Sequence, residues 1–153
     1  MAFWLALSLV LGALLLGTTF AHVLEIRAKS HMDGALWTTL QHRLYMAFAT
    51  VGGAVEIGTL VSTAALAWTA PAGTGRALAG GAFASFTCAF VVVWVGIVNP
   101  VNREVARWEP SAVPSDWQRW RRRWDTGHAL RFGLHLLGFV LLVALRIAPA
   151  SAP

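Results

Sequence analysis

The sequence predicts an all-α integral membrane protein, a four-helix bundle with both termini on the non-cytoplasmic side. Three observations predict it. Of 153 residues 57% are hydrophobic and 12% charged, with a mean hydropathy of +0.61, whereas soluble domains carry about 25% charged residues. Four apolar segments, at 2–20, 44–70, 77–98 and 127–147, each come close to the ~20 residues that cross a ~30 Å hydrocarbon core. The basic residues are also sided. Arg27, Lys29 and Arg43 flank the first connection, Arg103, Arg107, Arg119, Arg121, Arg122 and Arg123 lie in the third, and only Arg76 and Arg146 fall opposite. By the positive-inside rule both basic connections are cytoplasmic, in a multi-pass protein of the cell membrane.

The length suits one domain, 1–153, with helices at 2–26, 36–69, 77–99 and 115–147. The eight tryptophans cluster near the span ends, as an interfacial aromatic belt would. The net charge of +5 follows the same siding, so it indicates anionic headgroups of the lipid bilayer and no nucleic acid. Cys88 is the sole cysteine, which excludes a disulfide framework or thiolate metal site within one chain. A homo-oligomer stays open.

The first segment has a leader's length but no basic residue ahead of its apolar run, and it ends in His22 and Glu25, so it reads as a retained first helix. Those two residues are three apart and share a face, with Thr18 and Lys29 a turn to either side. His31 reads as a solvated loop residue, and Gly34 as the turn into the second helix. There Gln41, Tyr45, Gly52, Glu56, Thr59 and Thr63 lie near one stripe. Glu56 sits roughly 16 Å along the axis from Tyr45. A carboxylate at that depth costs on the order of 2.5–3.5 kcal/mol, so it must face the bundle and have a partner or a proton.

The run PAGTGRALAGG is a Gly-rich turn, not a phosphate loop, because it lacks the third glycine and a preceding strand. The third helix puts Ser85, Cys88, Val92, Gly96 and Asn99 on one side, where small residues allow close approach. Pro100 ends or kinks it, freeing backbone groups for Asn99 and Asn102 to satisfy. Ser115 and Gln118 match a capping box opening the fourth helix. From Ser115 to Arg146 is about 48 Å of helix, so the second and fourth helices extend above the membrane. The run APASAP reads as a short tail.

The fourth helix carries the densest signal. Trp117, Arg121, Trp124, His128, Arg131 and His135 follow at spacings of 4, 3, 4, 3 and 4, which places them on one face. Trp117, Arg121 and Trp124 form an outer rim, and His128, Arg131 and His135 reach towards Glu56 and Glu25, with His135 the better depth match for Glu56. With His22 and Glu25 from the first helix, these groups converge near the cytoplasmic third.

Four chemistries fit such a cluster. Imidazoles and carboxylates on facing helices can hold haem or a single transition metal. A histidine can act as general base on an acidic C–H of a lipophilic substrate while arginine stabilises the anion, with no cofactor. A buried Glu–His–Arg network can simply fasten helices. The chain can also serve as a non-enzymatic helper or small-molecule binder.

The pattern P-x-N followed by W-x-x-x-R-x-x-W-x-x-x-H-x-x-R is met by Pro100, Asn102, Trp117, Arg121, Trp124, His128 and Arg131. With HVLE and Glu56 upstream, it resembles the anthrone oxygenase-like family of small four-helix membrane proteins. The resemblance implies oxidation of an anthrone-like aromatic with dioxygen and no tightly bound cofactor. His128 and Arg131 would be catalytic with His22, Glu25 and Glu56. Trp117, Arg121, Trp124, Tyr45, Gln41, Asn99, Asn102 and His135 would line the substrate. His135 and His42 lie outside the family pattern.

Overall fold

A computed structural model describes residues 1–148, with every side chain except those at 46, 47 and 49. The APASAP run therefore lies outside the described residues, apart from Ala148. The architecture is all-helical, with four helices long and apolar enough to cross a membrane among the described residues. They are α1 (Ala2–Ser30), α2 (Gly34–Thr69), α3 (Thr74–Val105) and α4 (Trp117–Ile147). Around the bundle α1 packs on α2 and α4, and α3 packs on α2 and α4. This leaves α2 and α4 on a diagonal.

At 29 to 36 residues, each helix is about 43–54 Å long at 1.5 Å per residue. All four therefore outreach a ~30 Å hydrocarbon layer, not α2 and α4 alone. The excess comes from α1 continuing to Ser30 and α3 to Val105. Asp33 starts α2 by accepting a hydrogen bond from the Leu36 backbone N–H at 2.8 Å. His31 is exposed in the turn before it.

The two ends of the bundle have different cores. At the end holding the N-terminus, Leu5, Leu15, Leu66, Phe86 and Leu142 interlock. The opposite end is built from aromatic rings, where Trp37, Trp108 and Trp124 are buried with Val98, Val101 and Val105. The tryptophan expectation therefore needs correction. Trp68 is 87% exposed and suits a belt, but these three are interior packing.

The expected face on α3 is also corrected. Residues Ala89–Val98 wind as a π-helix, whose wider turn breaks the 3.6-residue period used to draw that face. Val92 and Gly96 consequently point outward, while Ala89, Val93 and Val98 are buried. Close approach is supplied by α4, where a Cβ on Gly127 would come within 2.7 Å of Val98 and one on Gly138 within 2.8 Å of Phe86.

Pro100 lies in the first turn of the α-helical stretch Asn99–Val105 and does not end the helix. Having no N–H, it cannot donate back into the π-helical run, where the Asn99 N–H before it reaches the Trp94 carbonyl five residues back. In the turn before the proline, Arg123 Nη2 donates to the Gly96 carbonyl at 3.2 Å. The carbonyl contact in this turn thus comes from an arginine on another helix, and Asn102 instead accepts from Trp124 Nε1. The capping box is absent too. The last helix starts at Trp117 after Asp116, with no side-chain cap, because Pro114 and Asp116 carbonyls already accept the Trp117 and Arg119 N–H groups.

Candidate functional site

The inward stripe on α4 meets α1 and α2 in two tiers. In the deeper tier Arg131 Nη2 donates to Glu56 Oε2, and His135 Nε2 lies 3.5 Å from Glu56 Oε1. Both α4 residues thus address one α2 carboxylate across the bundle diagonal, tying together helices that otherwise pack little on each other. His135 is fully buried, and its Nδ1 is 3.4 Å from the Thr19 hydroxyl of α1. A buried ion pair needs such added partners to offset its desolvation.

The nearer tier is aromatic. The His22 and His128 rings touch, with 4.2 Å between centres, and His128 packs on Trp124 at 4.1 Å. His128 Nδ1 is buried without a hydrogen-bond partner among the described residues. Glu25 sits beside the pair, its Oε2 accepting from the Tyr45 hydroxyl at 2.9 Å and lying 3.5 Å from His22 Nδ1. The same oxygen is 2.6 Å from Lys29 Nζ. That ammonium is buried between the Tyr45 and Trp124 rings, 4.4 and 4.5 Å from their centres. Its desolvated charge is thus met by one carboxylate and two π faces.

A cavity of about 600 Å³ opens beside these tiers, within the size range of small-molecule sites. Its wall carries His22, His128, Arg131 and Glu56, and it also includes Gln41, Tyr45, Trp124 and Asn102. Gln41 Nε2 is buried there without a partner among the described residues. Phe90, Trp94 and Val98 form the α3 side. Their four-residue spacing suits the π-helical turn, which holds them in one column.

Other expected residues lie elsewhere. Glu25 stands behind His22, and α4 does not engage it; Lys29 and Tyr45 do. Arg121 Nη1 donates to the Lys29 and Ser30 carbonyls, capping the C-terminus of α1. Trp117 lies under that guanidinium, 5.1 Å from it, and against Trp37. Asn99 and His135 are outside the cavity wall. Asn102 accepts from Trp124 Nε1 at 3.0 Å, which aligns α4 with the end of α3.

Lys29 and Asp125 were not expected. Lys29 does follow Glu25 at the i, i+4 spacing of a helical ion pair, a signal masked by its reading as a solvated end-of-helix cation. Asp125 is buried within electrostatic reach of Lys29 and Arg121. His42, given little weight in sequence, donates from Nε2 to the Val105 carbonyl at 2.9 Å and so caps α3.

As for a metal, no three His, Cys, Asp or Glu side chains form a metal-holding group among the described residues. The touching His22 and His128 rings leave no space for a macrocycle between them, so this pair does not fit bis-histidine haem.

Fold and site together define a small multi-pass membrane protein with a polar cluster beside an aromatic cavity. The family model described as anthrone oxygenase matches residues 42–141 of the 153, and the chain belongs to that family. Comparison with curated proteins and with solved structures finds no match.

Proposed function

We propose that the protein is a membrane oxidoreductase that oxidises a lipophilic, anthrone-type aromatic ketone with dioxygen. The carrying observation is the placing of two touching imidazoles, each with a ring nitrogen that has no hydrogen-bond partner among the described residues, in the wall of an aromatic cavity with a guanidinium beside them. His128 takes a proton from the substrate's CH₂ flanked by two aryl rings, and the electron pair spreads to the carbonyl oxygen. Arg131, anchored by Glu56, stabilises that oxyanion. Dioxygen accepts the carbanion's electron pair, forming a C–O bond, and the peroxide takes the proton back. Loss of water from the remaining C–H and the peroxide leaves a second carbonyl, so one dioxygen yields one quinone and one water. His22, oriented by Glu25, completes the acid–base pair. Tyr45, Gln41, Trp124 and Asn102 contact the substrate.

On this reading the whole chain acts as one membrane domain of the cell membrane. Its polar end faces the cytoplasm and both termini lie outside. The test is oxygen uptake and quinone absorbance by the purified protein supplied with anthrone. Equal amounts of oxygen consumed and quinone formed are expected. Folded protein giving neither overturns the proposal, and binding without turnover would leave a small-molecule-binding helper.

A further inference from the structure

Among the described residues, the cavity has one wall that is not closed by protein. Helix α2 packs closely on the first half of α3, Thr74–Cys88, but not on the stretch that follows, and meets α3 again at its end, where His42 donates to the Val105 carbonyl and Trp37 packs with Val101 and Val105. The gap between them runs along the cavity. On the α2 side it is edged by Phe48 and Ile57, 42% and 50% exposed, with Gly52 and Gly53 between them. A Cβ on either glycine would meet nothing within 4 Å, so both positions look onto open space. The α3 side presents Phe90 and Trp94, stacked 5.4 Å apart with planes only 9° from parallel.

The slot lies at membrane depth by its own composition. Gly52, Gly53 and Ile57 belong to the span Thr50–Thr69, and Phe90 and Trp94 to the span Thr74–Val105. Among the described residues Phe48, Gly52, Gly53, Ile57, Phe90 and Trp94 edge it without charge, and the ionic groups lie further in, where buried Glu56 of α2 faces Arg131 of α4 with His22 and His128 beside them. A solute arriving there from lipid keeps apolar contact until it reaches Arg131 and the imidazoles.

We infer that the cavity is loaded sideways from the bilayer through this slot, by a neutral, flat, lipid-dissolved aromatic, with Gly52 and Gly53 as the residues that set its clearance. The inference deepens the proposed function by naming how its substrate class arrives, but it concerns binding and does not need turnover. A glycine pair inside a helix costs about 1 kcal/mol per residue against alanine, which is consistent with space being worth more here than helix propensity.

The test uses the full chain in phosphatidylcholine vesicles, with Cys88→Ala as background and cysteine introduced by Gly53→Cys. A neutral lipid-soluble maleimide should label position 53 faster than a charged, water-soluble thiol reagent by at least about tenfold, the least that the cost of bringing charge into hydrocarbon implies. Anthracene preloaded into the vesicles should slow that labelling. It should leave unchanged the labelling of Val61→Cys, on the outward face of α2 where Val61 is 58% exposed. Separately, Gly52→Leu should fold as well as the parent and slow quenching of tryptophan emission when anthracene is added. Equal labelling by the charged reagent, no labelling at all, no protection by anthracene, or unchanged loading of Gly52→Leu would each overturn the inference. Absence of oxygen uptake with protection intact would overturn the proposed activity and leave the lateral entry standing.

Discussion

Glu56, Arg131 and His135 stand against His22 and His128 as a fastened arrangement against an open one. The deeper carboxylate is bound by Arg131 from the opposite helix, with His135 Nε2 3.5 Å from its other oxygen. The shallower imidazoles meet ring against ring and leave a nitrogen of His128 uncommitted beside the cavity. Both tiers are polar, buried and drawn from the same α4 stripe, so burial alone does not separate a fastening role from a chemical one. What separates them is the ion pair: Arg131 and Glu56 bond across the bundle, whereas the His22 and His128 rings meet without a hydrogen bond between them, and each tier keeps buried polar atoms unpartnered among the described residues, His135 Nε2 in one and His22 and His128 Nδ1 in the other.

The largest expected effect is on the fastened tier. Glu56→Gln removes the charge that answers Arg131 and should lower stability by about 3–5 kcal/mol, the range for breaking one side of a buried pair. Thermal unfolding in detergent measures it, and an unchanged transition would mean that the diagonal tie holds nothing. Next, His128→Ala should lower oxygen uptake with anthrone by at least about a hundredfold, as loss of a general base does, while the unfolding temperature barely moves. A large fall in stability with activity retained per folded molecule would reverse the contrast between the tiers.

A smaller effect belongs to Lys29→Met. Loss of the ammonium from between Tyr45 and Trp124 should cost about 2 kcal/mol, the scale of a desolvated cation–π contact. Its readout is the denaturation midpoint compared with Lys29→Arg, which keeps the charge. Trp124→Phe should be mildest, about 1 kcal/mol for one hydrogen bond to Asn102. Near-parental stability with weakened anthracene quenching would locate Trp124 in binding more than in packing.

The helical stripe was legible because period and cost act together. Six residues at spacings of three and four face one way, and ionic groups in an apolar segment must turn inward. The need of Glu56 for a partner followed from the same argument. Axial arithmetic favoured His135 and undervalued Arg131, because a guanidinium reaches several ångströms along its own helix before it binds. The Lys29 box was not legible. It depends on Tyr45 and Trp124 coming from two other helices, and local spacing carries no information on that meeting. Likewise Arg121 read as a substrate-lining rim residue and Arg123 as a headgroup cation, whereas they serve the carbonyls of Lys29, Ser30 and Gly96. Long side chains near a helix end answer freed carbonyls wherever the neighbouring backbone supplies them. The π-helical run escaped notice because AFVVVWVGIV contains no glycine or proline signal at its start.

That run has a consequence for which changes of chain length the protein tolerates. A wide turn holds more residues per revolution than an α-turn does, so the winding of this run sets the angle at which the far end of α3 leaves it. Removing one residue between 89 and 98 would let the segment tighten, turning everything beyond it by about 100° relative to what precedes. Asn102 would swing away from the Trp124 indole, and Val101 and Val105 would leave the aromatic core. A point substitution there edits one contact, whereas a single lost codon would re-aim the whole far end of α3.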